Sequence, residues 1–370
     1  MEVLILILVL VALILVHEFG HFVVAKLAGM RVDEFGIGYP PKALSLGVRG
    51  DTEYTLNWLP FGGFVRIYGE DSEARDADAH PSAGRAFTDK PRAVQVLVLV
   101  AGIAMNMLFA FLLFTFILLV GTPRALSPAE ATLAHDARLA VATVLPASPA
   151  ASAGLAAGDI IESASYAGKT YAEATPDSFT VFVSSDTAQA PIAISVLRNG
   201  AVKDVTLVPE PGVIASDPAR PAIGLGVATI GTVPLSFPAA VIEGAQTTWY
   251  VTKATSVGLY EFFAGIVTGH ADFSQISGPV GIAGAVGTAS AQGFTDLLSL
   301  VAVISVNLAL INVIPVPALD GGRLLFVLIE AVIRRPLHPG ITRAVNTLGF
   351  ALLVLLMLAV TAHDIFKIFV

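Results

Sequence analysis

The chain has 370 residues, 55% of them hydrophobic and only 14% charged, with a mean hydropathy of +0.77 and a net charge of −8. That balance lies outside the soluble globular range, indicates an integral membrane protein and argues against nucleic acid as a partner. Cysteine is absent, so disulfides, thiolate metal sites and a thiol nucleophile are excluded, and any metal must be held by His, Asp or Glu.

Val3–Leu27 is the first predicted span. It lacks a basic start and a small-residue cleavage site, so it reads as a retained segment and not a leader. Gly29–Pro91 is polar and glycine-rich. Strand-like alternation around Glu34–Gly38 and Tyr54–Ile67 predicts short hairpin strands near the membrane with no core of their own. Asp71–His80 reads as a mobile acidic loop. Val94–Val120 is the second span, with Asn106 the one amide in its interior, and Pro123–Glu130 reads as a linker.

Residues 140–210 change character toward a small extracytoplasmic domain, with strands at Ile192–Leu197 and Val202–Val208 around Arg198-Asn199-Gly200. Ser148–Ile161, with Gly158-Asp159 leading into a strand, resembles the PDZ domain of bacterial proteases. Phe237–Val267 is apolar but carries Glu243, Lys253 and Glu261. Spanning would bury three charges, so an interfacial amphipathic helix is expected, followed by a break at Ser277–Gly281. Leu297–Leu319 is the third span. Its end, Asn312–Pro317, must unwind, which membrane depth tolerates only inside protein or beside a cavity. Ile341–Val360 is the fourth.

The predicted architecture is a polytopic α-helical membrane protein with four spans. Residues 1–120 hold the first two, 237–292 the interfacial helix, and 293–370 the last two. Arg and Lys crowd the loops Gly29–Ala93 and Arg323–Arg343, whereas Gly121–Asp296 holds only seven. The positive-inside rule then puts those two loops in the cytoplasm and the termini and inserted domain outside.

Within the first span lies His17-Glu18-Phe19-Gly20-His21. On a helix the two histidines share a face one turn apart and can hold one metal ion, with Glu18 as base for a water that the ion activates. Fourteen apolar residues precede the motif and cover about 21 Å, so it sits inside the bilayer, where ionisable groups are costly. Asp320 is the natural third ligand, because two histidines and one carboxylate leave a position open for water. Both sets of groups approach the cytoplasmic side at similar depth. Asn312, two turns upstream, can bond a substrate or pack against a helix. Gly62 and Gly63 allow either close approach of a substrate strand or a tight turn.

These residues carry a resemblance. The His17–His21 motif, with Asn312-x-x-Pro315-x-Pro317-x-Leu319-Asp320-Gly321-Gly322, is similar to the site-2 protease family of intramembrane zinc metalloproteases, nearest the bacterial regulator of sigma-E protease type. Gly36–Pro40, Gly62–Val65 and Gly69-Glu70 resemble its membrane-associated β-loop, Ala101-Gly102-x-x-x-Asn106 its second span, and Ser277–Ala283 its segment after the PDZ region. The resemblance implies His17, His21 and Asp320 as zinc ligands, Glu18 as base and Asn312 as a substrate contact. It implies a bacterial inner-membrane enzyme that cuts a pre-trimmed single-span protein, such as an anti-sigma factor. Two departures stand out: a single PDZ-like region, and Arg323 where histidine is common. The alternatives are an ion-coupled transporter or a PDZ-bearing membrane scaffold.

Overall fold

The computed structural model describes residues 2–70, 84–121, 123–132, 134, 136–171, 175–185, 190–198, 200–214, 217–270 and 278–369. The Asp71–His80 loop and Ser277 lie outside them. The described chain forms two compact units, residues 1–117 with 237–370, and residues 118–236.

In the first unit, four helices are long and apolar enough to cross a membrane: α1 (Glu2–Leu27), α2 (Arg92–Val120), α8 (Phe294–Val313) and α10 (Pro339–Phe369). They match the four predicted spans, with two differences. The third helix stops at Val313, because Pro315 and Pro317 cannot continue its ladder. Asp320 does not lie in a turn that ends it; it opens a new helix, α9 (Asp320–Ile333).

The polar stretch after α1 forms β1 (Val32–Arg49) and β2 (Thr52–Ile67), much longer than the short strands expected. Each bends partway, near Pro40-Pro41 and Pro60, so two strands build four arms. Glu34–Ile37 pairs on one side with Glu53–Leu56 and on the other with Gly63–Arg66, while Lys42–Arg49 pairs with Thr52–Asn57. The arm at Gly63–Ile67 therefore has a free outer edge among the described residues. As expected, the sheet has no core of its own. Val32, Ile67 and Phe87 pack with Ala25 and Met30, with Val98 and Leu99 of α2, and with Val327 of α9.

α6 (Phe237–Thr268) is one continuous helix of 32 residues and α7 (Pro279–Gln292) follows it. α6 is not among the four candidate spans. It does not merely touch their ends, as a helix lying flat would. Gly244 fits against Thr115 of α2, and eleven residues later Thr255 Oγ1 donates to Asn307 Oδ1, well inside α8. Small and hydroxyl-bearing residues on this face allow that close approach.

The second unit is wider than residues 140–210. Its sheet runs β3 (Pro123–Ala125), β9 (Leu225–Thr232), β4 (Arg138–Val144), β5 (Ile160–Tyr166), β7 (Ile192–Arg198), β8 (Ala201–Leu207), with β6 (Lys169–Tyr171) on β5. The expected linker Pro123–Glu130 supplies β3 and the start of α3 (Pro128–Ala131). β9, with glycines at 226 and 231, carries a weak strand signal in its sequence, yet it pairs with β4 over six residues. α4 (Pro149–Ser152) and α5 (Pro176–Ser184) cover a core of Leu139, Ile161, Phe179, Ile192, Ile194 and Val196. Asp159 is buried, receives the Ala156 N–H, and holds Arg198 through both carboxylate oxygens at 2.6 and 2.7 Å.

Candidate metal centre

α1 puts His17 and His21 on one face, each 7% exposed. α9 brings Asp320 to them across some 300 residues of sequence. His17 Nε2 lies 2.8 Å and His21 Nε2 3.1 Å from Asp320 Oδ2, and the two ring nitrogens are 3.2 Å apart. Ligand atoms at about 2.0–2.1 Å from a tetrahedral zinc stand about 3.3 Å apart, so this triangle has nearly the dimensions of one tetrahedral face.

Hydrogen bonding leads to the same conclusion. His21 Nδ1 lies 2.8 Å from the Val98 carbonyl, to which it can only donate, so the neutral ring points a bare lone pair from Nε2. His17 Nδ1 faces the Asn106 amide at 3.1 Å. With Nδ2 of Asn106 toward the ring, Oδ1 is buried without a partner. Exchanging the two ends lets Oδ1 accept from Nδ1–H. In the first orientation His17 carries its proton on Nε2 and donates to Asp320; in the second it carries it on Nδ1 and presents the Nε2 lone pair, the form that a metal ligand takes. In that second form two lone pairs and a carboxylate oxygen converge, an arrangement that a cation satisfies. The residues fit zinc, with the outer partners that metal-binding histidines require.

Room for this cluster depends on glycine. A Cβ at Gly102 on α2 would overlap His21 Nε2 and stand 2.8 Å from His17 Cε1. Gly321 and Gly322 let α9 fold back tightly, since a Cβ at either would overlap the carbonyl oxygens of Ile314 or Val316. Ala318, at φ 73°, completes the reversal that delivers Asp320.

Glu18 lies on the next face of α1, where its Oε2 accepts from the Val65 N–H at 3.1 Å. Val65 belongs to the free-edged arm of β2. Gly63 in that arm comes so close to α1 that an added Cβ would be 3.2 Å from Leu15 and 3.9 Å from Glu18 Cγ. Gly62, at φ 109°, serves the bend, and an added Cβ there would meet Tyr39 at 3.0 Å. Beside this turn of α1 is an apolar cavity of about 320 Å³ lined by Leu15, Val16, Phe19, Phe35, Ile37 and Met105, among others. Asn312 is buried in the last turn of α8, and its amide makes no hydrogen bond among the described residues.

Sequence reading missed two supports, the Val98 carbonyl and the Val65 N–H, and quoted Gly102 only within the resemblance. It noticed Asn106 without giving it a role. Asn106 had a usable signal, as the one interior amide of an apolar span. Backbone groups have none, because every residue carries them.

Comparison with known proteins agrees with this chemistry. The model of peptidase family M50 matches residues 5–356. A provisionally named zinc metalloprotease of Clostridium acetobutylicum is 33% identical over 355 residues, covering 95% of this chain and 94% of the relative. One of Clostridium perfringens is 35% identical, covering 96% and 95%. The zinc metalloprotease RasP of Oceanobacillus iheyensis is 29% identical over 437 residues, covering 96% and 97%. The chain belongs to peptidase family M50, the site-2 protease family, and is a membrane zinc metalloprotease with Zn2+ as its cofactor.

Proposed function

We propose that the enzyme cleaves a single-span membrane protein within its transmembrane segment, using His17, His21 and Asp320 as zinc ligands and Glu18 as general base. One observation carries the reading: Glu18, His17 and His21, on an apolar helix, stand beside a strand edge that pairs with no other strand among the described residues. A helical peptide bond is shielded by its own hydrogen bonds. Laying the unwound substrate along Gly63–Ile67 as an added strand would hold it extended. The glycine at 63 keeps that edge close to Glu18, and the neighbouring cavity suits an apolar substrate side chain.

Zinc held by His17, His21 and Asp320 would polarise the scissile carbonyl and lower the pKa of a water, so that its deprotonation yields the nucleophile. Glu18 takes the proton at its carboxylate and returns it to the leaving amine. Before that it gives up the Val65 N–H, which becomes available to the substrate backbone. The Val98 carbonyl and Asn106 hold the two imidazoles in the tautomer that faces the ion. Asn312 offers its amide to the substrate.

The transporter and scaffold alternatives give way to the metalloprotease assignment. The basic loops argue for a cytoplasmic site of cleavage in a bacterial inner membrane, with residues 118–236 outside as a PDZ-like unit. An anti-sigma factor already trimmed outside suits that arrangement, with the unit rejecting untrimmed forms. The test is co-expression with a panel of trimmed single-span proteins. Wild type should release a cytoplasmic fragment from at least one, and Glu18→Gln from none while keeping its zinc. Undiminished release by a folded Glu18→Gln enzyme overturns the mechanism.

A further inference from the structure

The third metal ligand stands on a helix set at its start by the close fit of Gly321 and Gly322 to the backbone of 313–317, and along its length by contacts with other elements. α9 follows six non-helical residues, 314–319, which include two prolines and a left-handed alanine. A displacement of α9 by one ångström is enough to spoil a tetrahedral site. Its inner face is held by apolar contact, with Val327 and Leu324 against the cluster that includes Val98 and Leu99. The hydrophobic contribution of such contact is non-directional. Two ion pairs supply direction. Glu330, near the far end, takes Arg92 of α2 at 2.8 Å and the Leu337 N–H at 2.9 Å. Arg323, one turn after Asp320, donates to Glu70 Oε1 at 2.6 Å.

Glu70 lies three residues beyond β2, just past the arm whose Val65 N–H holds Glu18. Its side chain is 13% exposed and that of Arg323 41%, so solvent screens the pair from the Arg323 side while the carboxylate end is sheltered. Arg323–Glu70 therefore ties the element bearing the third ligand to the element bearing the strand edge.

We propose that Arg323 and Glu70 form a positioning latch that sets Asp320 against His17 and His21, so that zinc affinity depends on a pair that touches neither metal nor substrate. This rests on the proposed ligand set. Groups hydrogen-bonded to metal ligands change affinity by about 10- to 100-fold when removed, and a pair acting one step further out belongs at the low end of that range.

The test measures zinc retention by the purified full-length chain in detergent against a graded chelator, with folding checked by gel filtration and thermal unfolding. Arg323→Ala and Glu70→Ala should each weaken zinc binding about tenfold. The exchanged pair, Arg323→Glu with Glu70→Arg, should regain most of the loss, as should Arg323→Lys alone. Wild-type affinity in both folded single variants overturns the latch. So does an exchanged pair no better than the singles, which would make the loss a matter of general packing. If Arg323→Ala does not fold, Arg323→Lys and the exchanged pair decide, and a tenfold loss in both overturns it. Asp320→Ala is the control. Zinc held tightly by that variant refutes the ligand set itself, a failure distinct from that of the latch.

Discussion

Asn106 illustrates how much of a metal site lies outside its ligands. It is fully buried in α2 and meets His17 Nδ1 at 3.1 Å, fixing the ring so that Nε2 faces Asp320. Asn106→Leu keeps the volume and loses the acceptor. It should weaken zinc binding about 10- to 100-fold and lower activity in proportion, while the helix pair stays folded. Equilibrium zinc competition is the measurement, and unchanged affinity would make Asn106 a packing residue. His21 cannot be weakened in the same way, because its partner is the Val98 carbonyl, which survives any side-chain change.

At the scale of elements, the strongest local anchor lies in the second unit. Asp159 starts the approach to β5 and grips Arg198 at the end of β7. Arg198 and the Ala156 N–H hold its carboxyl below the usual carboxylate range. A depressed folded-state pKa contributes stability that is present above the unfolded value near 4 and is lost as pH falls through the folded value. Asp159→Asn should therefore destabilise β5 and β7 by about 2–3 kcal/mol at pH 6, and by progressively less below pH 4. Hydrogen exchange of the amides of those strands in the full-length chain reads this directly. A gap between variant and wild type that widens toward acid would contradict the assignment.

Two predictions belong to the whole molecule. Deleting residues 140–210 alone would strand β3 and β9, which pair with each other and, through β9, with β4. The informative deletion is 118–236, rejoined by a flexible linker. It should leave cleavage of a trimmed substrate largely intact and relax rejection of untrimmed forms, since a steric filter acts by exclusion. If a folded deletion stops cutting the trimmed substrate, the unit delivers substrate instead. The second concerns orientation. Ala167 is exposed in the turn after β5, and the chain has no cysteine of its own. Ala167→Cys should react with an impermeant thiol reagent from the extracytoplasmic side. Labelling from the cytoplasmic side alone would invert the topology.

The sequence by itself determined the four apolar helices, because stretches of about twenty predominantly apolar residues have one stable environment. It also determined the His17–Glu18–His21 grouping, because four residues on a helix are one turn and the pairing needs no other part of the chain. It pointed to Asp320 through the cost of a carboxylate and a broken helix at membrane depth. Tertiary structure decided what depends on contacts distant in sequence. The bends that turn two strands into four arms follow from how β1 and β2 pair, and they leave Gly63–Ile67 as the edge beside Glu18. The reach of the second unit to β3 and β9 follows from sheet pairing that strand propensity does not report. The tautomers of the histidines, and the tie from Arg323 to Glu70, depend on backbone groups and on partners up to 253 residues apart. Local periodicity carries no record of such partners, since their energy appears only once the helices have packed.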